Sequence, residues 1–192
     1  GVQTCALPIS HIMSYTLEAF CEDCRNSVTA GEEGRVEIQA NMEKLLSEEA
    51  FIAEHFGPGA EAKITPLYTD DESGFQVLTH VYSEGKESPP HDHGDTWAVY
   101  GQAVAHTDMT VWRRTDDGFD ETRAEVEPEK TYRLDPAMAG KFEPGDIHSI
   151  KFPAGARFLR VTGADLNKVP TRRFDPKAST VVEGAGVSGV VR

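Results

Sequence analysis

The residues with the clearest chemistry are histidines. His91 and His93 stand in Pro89-Pro90-His91-Asp92-His93-Gly94, and His148 closes Glu143-Pro144-Gly145-Asp146-Ile147-His148. Side chains on a strand alternate with a period of two, so a His-x-His pair on a strand shows both imidazoles to one face. Two imidazoles side by side chelate a metal ion, and the third ligand must come from elsewhere in the fold. His148 starts a β-run just after a Pro-Gly-Asp turn, a good place for a side chain at a barrel mouth. Alone, His-x-His is a weak signal. Joined to the downstream Pro-Gly-x-x-His across a β-rich span, it predicts a metal site at His91, His93 and His148. Three neutral nitrogens do not by themselves select the ion.

Other residues carry chemistry with an ordinary structural reading beside it. Arg160 could fork onto a substrate carboxylate, or form a partly buried salt bridge. Strand phase places Phe158, Arg160 and Thr162 on one face, the interior one unless a bulge shifts the register. Gln76, Leu78, His80 and Tyr82 share a face. His80 and Tyr82 are pocket candidates, with packing the leading reading for His80. Tyr100 and Gln102 either line the pocket or bond within the sheet. His106 is a candidate fourth ligand, more commonly a supporting or surface group. Asp92 and Asp95 either orient imidazoles or are solvated loop carboxylates. His55 reads as a surface or dipole-facing group at a helix end. Cys21-Glu22-Asp23-Cys24 is a C-x-x-C with no partner pair, and both cysteines fall on an apolar stripe. A core reading therefore outweighs zinc or redox chemistry.

These residues need a scaffold, and the chain changes texture to provide one. Residues 14–56 read as helices. Leu17, Phe20, Cys21 and Cys24 make one helical stripe, with Thr16 as N-cap and Glu18 in the first turn. Val36, Ile38, Met42, Leu45 and Leu46 suggest a second helix. Ser47 is placed as the cap of a third through Phe51, Ile52 and Phe56, stopped by Gly57-Pro58-Gly59. From about residue 63 the runs are short, β-branched or aromatic. The expected strands are Ile64–Tyr68, Phe75–Tyr82, Trp97–Ala103, His106–Arg113, Thr131–Leu134, Gly140–Phe142, His148–Phe152 and Arg157–Val161. Many short strands at close spacing predict an antiparallel barrel or sandwich.

Composition narrows the partners. Among 192 residues, 19 Lys+Arg face 32 Asp+Glu, a net charge of −13. So acidic a surface repels phosphate backbones, which argues against nucleic acid. No apolar run approaches the length of a membrane span. The 3 cysteines are too few for a disulfide scaffold, so a reducing cytoplasm is the expected setting. Residues 1–12, which include His11, resemble the in-frame translation of a sequencing adapter. They are expected to be a non-native leader, with Met13 as the true start. The remaining divisions are a helical cap at 13–60, a barrel at 61–170 and a C-terminal tail at 171–192. The tail is expected to be loosely held, with no structure assigned to the Gly-rich Val181–Val191 stretch. Exposed sheet edges would invite a homodimer.

The His-x-His and Pro-Gly-x-x-His pair resembles the two motifs of the cupin superfamily over roughly residues 63–165. That resemblance implies an all-β fold, a single double-stranded β-helix barrel behind N-terminal helices. The first cupin motif carries a glutamate after its histidines and then a glycine. Here Trp97 or Ala98 fills the glutamate slot, and Gly101 the glycine slot. The second motif is one residue tighter than usual, with Phe152 where an asparagine often stands. Lacking the glutamate, the site leaves the ion's charge uncompensated, which favours an anionic, chelating substrate and open positions for it and for dioxygen. Among cupins this is similar to the thiol dioxygenases, iron(II) enzymes that oxidise cysteine or 3-mercaptopropionate. PPHDHGDTWAVYGQ, AHTDMTVWRR and GDIHSIKFPAGARFLRVTG resemble more closely a group of uncharacterised bacterial metal-dependent double-stranded β-helix proteins. The implied cofactor is iron(II), with manganese, nickel, copper or zinc open. The candidate catalytic residues are Arg160, Tyr82 and Tyr100. One departure is large. Thiol dioxygenases carry Ser-x-His-x-Tyr after the third histidine, where this chain has Phe158, Arg160 and Thr162. A ligand-binding cupin without catalysis and an oxygen-independent zinc or manganese enzyme are the alternatives.

Overall fold

A computed structural model describes residues 14–185. The adapter-like leader, His11 and the end of the tail lie outside these residues. The N-terminal region folds into α1 (Leu17–Ser27), α2 (Gly31–Leu46) and α3 (Glu49–Phe56). Thr16 caps α1 as expected, its hydroxyl accepting from the Ala19 N–H at 3.2 Å. Phe20, Cys21 and Cys24 are buried along its stripe. Ile38, Met42, Leu45 and Leu46 bury the inner face of α2, but Val36 is half exposed. It lies two positions before Ile38, off the stripe that returns every three or four residues. Ser47 does not cap α3. Its hydroxyl donates back to the Glu43 carbonyl, and Glu48 is the N-cap residue. The Glu48 carboxylate is spent on Ser14 and on the Tyr15 N–H.

Strands follow as β1 (Ile64–Thr69), β2 (Gln76–Val81), β3 (Lys86–Glu87), β4 (Ala98–Val104), β5 (Thr107–Arg114) and β6 (Val126–Leu134). After them come β7 (Ala139–Phe142), β8 (Ile147–Phe152), β9 (Arg157–Thr162), β10 (Pro170–Asp175) and β11 (Thr180–Ala185). One sheet runs β1-β2-β9-β4-β7, and the facing one β3-β8-β5-β6. The chain is thus an all-β barrel of two facing sheets with N-terminal helices, the architecture expected. Its two sheets share one interior: Ala98, Tyr100 and Phe158 from the first meet Met109, Ile150 and Phe152 from the second. The outer face of the first sheet carries Val77, Val81, Val99, Leu159 and Val161, packed under the helices. Gly101 lies on that face. A Cβ there would fall 2.4 Å from Leu46 Cδ1 and Met42 Sδ, so glycine lets α2 lie close on β4.

The tail departs from expectation. Pro170–Asp175 and Thr180–Ala185 form an antiparallel hairpin. Phe174 and Val181 are buried with Ala124, Val126 and Ile147. The order comes from these distant partners, which a Gly-rich local sequence does not advertise. Strand β6 is also longer than expected. Its first half is exposed and charged but pairs through its backbone with β5.

Candidate metal centre

His91 does not sit in a regular strand, contrary to the expectation for His-x-His. It makes isolated bridges to His148 on one side and to Arg173 on the other. The His91 and His148 backbones exchange N–H···O bonds, both 2.9 Å. The chain then leaves the ladder through Asp92, and Gly94 adopts φ +60°. A Cβ at Gly94 would lie 2.2 Å from the Pro170 carbonyl oxygen. Glycine is therefore required twice over, for its backbone angle and for close approach. The Gly145 N–H donates to the Gly94 carbonyl at 2.9 Å, locking the two histidine-bearing turns together.

Asp92 is the clamp of this loop, a role the sequence did not reveal. It is fully buried, and its carboxylate accepts from the Gly94 and Arg172 N–H groups and from the Arg172 guanidinium, at 2.6–3.0 Å. It orients no imidazole. Asp95 is exposed.

The structure brings His91, His93 and His148 together. All three are buried, and one ligand atom from each lies within 4.8 Å of the others. Among the described residues this is the cluster of histidine, cysteine and carboxylate side chains able to hold an ion, and it contains no carboxylate. Nδ1 of His91 lies 3.0 Å from the Pro89 carbonyl, and Nδ1 of His148 lies 3.3 Å from that of Asp146. A carbonyl only accepts, so each Nδ1 carries the proton and each Nε2 keeps its lone pair. His148 Nε2 is buried with no hydrogen-bond partner. An orphaned buried acceptor is costly in a closed protein and natural in a ligand atom. Burial, the largest cause, pushes all three histidines below their ordinary pKa, and the nearby Arg160 charge adds to it. The imidazoles are thus held neutral, as metal ligation requires. The donor set fits a borderline divalent transition metal. His106 lies in the turn between β4 and β5, and His55 lies beside Glu54 at the end of α3. Neither joins the cluster.

The opposite wall is built by β9, β4 and β2. Leu78, Arg160 and Tyr100 are directly paired across these strands, and the adjacent row is His80, Phe158 and Gln102. Opposed residues share a face. No register shift touches Phe158–Thr162 in either pairing with β2 or through Gln102 with β4, so the expected interior face holds. Arg160 is 4% exposed, and its Nε has no partner. No carboxylate among the described residues forms an ion pair with it, so the salt-bridge reading is set aside. The Tyr100 hydroxyl lies 3.3 Å from His93 Nε2. Burial raises its pKa, and Arg160 works against that rise. Burial likewise pushes the Tyr82 phenol up to about 12. The His80 ring stacks on Phe158, with Nδ1 3.2 Å from the Tyr82 hydroxyl. Burial, then Arg160, lowers the His80 pKa well below its ordinary value.

Gln102 is committed to structure: it donates to the Val104 carbonyl and accepts from Thr107, both at 2.7 Å. Cys21 and Cys24 are free and buried, and burial pushes the Cys21 thiol up to about 11. That suppresses the thiolate and matches the core reading.

No protein-family profile and no curated protein sequence matches the chain. Solved structures do resemble it. The cupin domain of Cnp3 from Schizosaccharomyces pombe aligns at 15% identity and TM-score 0.41, over 56% of this chain and 71% of its own. KdgF from Halomonas sp. aligns at 10% identity and TM-score 0.39, over 52% and 74%. A cupin superfamily protein from Desulfitobacterium hafniense DCB-2 aligns at 13% identity and TM-score 0.37, over 56% and 83%. At this distance the chemistry of the site is read from this chain's own residues.

Proposed function

We propose that the protein is a mononuclear, metal-dependent cupin enzyme, an iron(II) dioxygenase acting on a small thiol or organic acid. The observation that carries this reading is the buried, carboxylate-free cluster of three neutral histidines facing an unpaired guanidinium. His91, His93 and His148 would hold the ion through three nitrogens. A ferrous ion held there would supply open coordination positions and a redox centre for dioxygen, the four electrons that reduce dioxygen coming from the substrate it oxidises. The rest is done by the chain. Arg160 takes the substrate carboxylate in a bidentate fork and fixes its orientation. The Tyr100 hydroxyl lies where it can hydrogen-bond a group between Arg160 and His93. Tyr82 and His80 extend the polar wall, and Phe158 excludes water beneath them.

The test is metal analysis of the protein purified with and without air, beside His91→Ala, followed by oxygen uptake with thiols and small carboxylates. Near-stoichiometric iron, lost in the variant, with uptake on one substrate class is the expected result. A specific observation favours a second reading, a cupin that binds a small ligand without catalysis. Phe158, Arg160 and Thr162 replace the Ser-x-His-x-Tyr network of the thiol dioxygenases that the motifs resemble. Oxygen consumption absent with every acid and thiol, after iron(II) is added, would select that reading. Stoichiometric zinc or manganese that iron(II) does not displace would select an oxygen-independent enzyme.

A further inference from the structure

Arg160 is not the only unpaired guanidinium at this site. Arg25, Arg35, Arg113, Arg114, Arg133 and Arg172 each have a carboxylate within ion-pair distance. In a chain with 32 acidic against 19 basic residues, that is the expected fate of an arginine. Beyond Arg160, three arginines among the described residues depart from it: Arg123 is exposed, Arg157 donates to the Phe56 and Gly57 carbonyls, and Arg173 stands at this site. The Arg173 Nε is buried and without a partner, and among the described residues no carboxylate pairs with it. Its place in the fold is specific. His148, His91 and Arg173 are successive bridge partners across one sheet. Bridged residues point to the same face, so the three side chains stand in one row at neighbouring-strand spacing. The row continues to Val182, which is 67% exposed. Arg173 therefore sits between the buried histidines and solvent, at the open end of the site. Arg160 approaches the same histidines from the opposite sheet, inside the barrel.

We propose that the site is built for a dianion, a small dicarboxylate or an acid with a second anionic group, held between Arg160 within the barrel and Arg173 on β10 at its mouth. This rests on the proposed ligand role of Arg160 and deepens it by naming the substrate class. A single carboxylate would leave one guanidinium unpaired, with a partly buried charge uncompensated. Two anionic groups satisfy both. Arg172 cannot substitute, because its guanidinium is committed to Asp92.

The experiment is calorimetric titration of the full chain, with and without added metal, using malonate, succinate and glutarate against propionate and butyrate. At least one diacid is expected to bind about tenfold or more tighter than the monoacids, the size of one added charge-assisted contact. Arg173→Gln should bring that diacid to the monoacid level, while Arg173→Lys keeps part of the preference. Circular dichroism and thermal melting of each variant establish that it is folded. Equal affinity for diacids and monoacids, no binding of either, or a diacid preference that survives Arg173→Gln would overturn the proposal. Metal content of the same samples keeps the two readings apart. A diacid preference in protein that takes up no iron(II) when it is supplied sustains this inference and sinks the oxygenase. Stoichiometric iron without a diacid preference sinks this inference and leaves the oxygenase standing.

Discussion

Arg160 occupies a place where a stability argument and a binding argument pull in opposite directions. A guanidinium 4% exposed and without a carboxylate costs the fold desolvation that no ion pair among the described residues repays. Replacing it with a hydrophobic residue of similar length, Arg160→Met, should therefore leave the protein as stable or raise its stability by about 1–2 kcal/mol in urea unfolding. The same variant should lose carboxylate binding. Were the guanidinium a structural partner after all, the variant would unfold more easily by about 3–5 kcal/mol. The buried histidines set a second residue-scale expectation. Burial holds His80, His91, His93 and His148 below their ordinary pKa, so the native chain stays neutral where the unfolded chain protonates. A lowered base pKa stabilises the fold fully above about pH 6.5 and less as pH falls below it, by about 1.4 kcal/mol per pH unit for each such group. Urea unfolding of metal-free protein at about pH 7.5, 6 and 5 should show stability falling across both intervals, and more steeply per pH unit across the lower one. A flat profile would mean that these histidines are not held neutral.

At the scale of elements, the site is assembled by contacts remote in sequence. The histidine types and spacings were legible because imidazoles in His-x-His and Pro-Gly-x-x-His are unusual enough to stand out. The wall carrying Tyr100 and Arg160 was legible from strand phase alone, since no bulge breaks it. The clamp was not. Asp92 reads as one acidic residue among many, and its partner Arg172 lies 80 residues on, in a segment whose glycines read as loose. The backbone of β10 also ties to this loop through the Phe174 N–H, which donates to the Pro90 carbonyl at 2.9 Å. Such pairing leaves no periodicity to read. Nor did the half-exposed charges of β6 suggest the long strand they form, because an edge strand can be held by its backbone. The clamp makes its own prediction. Asp92→Ala removes a buried carboxylate that accepts from several N–H groups, so it should cost about 2–4 kcal/mol. That is less than for a wholly buried pair, because the Arg172 side chain is 40% exposed. Because the same residue sets the path between His91 and His93, metal affinity should fall well beyond what the stability loss explains. Binding isotherms taken under conditions where the variant is fully folded check this. Unchanged affinity would show that the loop keeps its shape without the clamp.

For the whole molecule, the ligand atoms join parts of the chain that the fold must bring together against entropy. His91 and His93 come from the loop before β4, and His148 from β8, more than fifty residues later. His148 Nε2 is buried and open among the three clustered histidines, so an ion there would couple the loop to the sheet and bind the native state alone. Linkage then sets the size of the effect. An ion present at 100 times its dissociation constant adds about 2.7 kcal/mol to the unfolding free energy. For a domain of this length each kcal/mol raises Tm by about 2–4 °C, giving a shift of about 5–11 °C on loading. Chelator should reverse it. His148→Ala should abolish it, since it removes the open Nε2 while the unfolded chain keeps most of its histidines. Scanning calorimetry of both proteins, each with iron(II) under anaerobic conditions and then with chelator, separates a native-state site from adventitious binding. Metal held loosely by exposed histidines would bind folded and unfolded chains alike and leave Tm where it was.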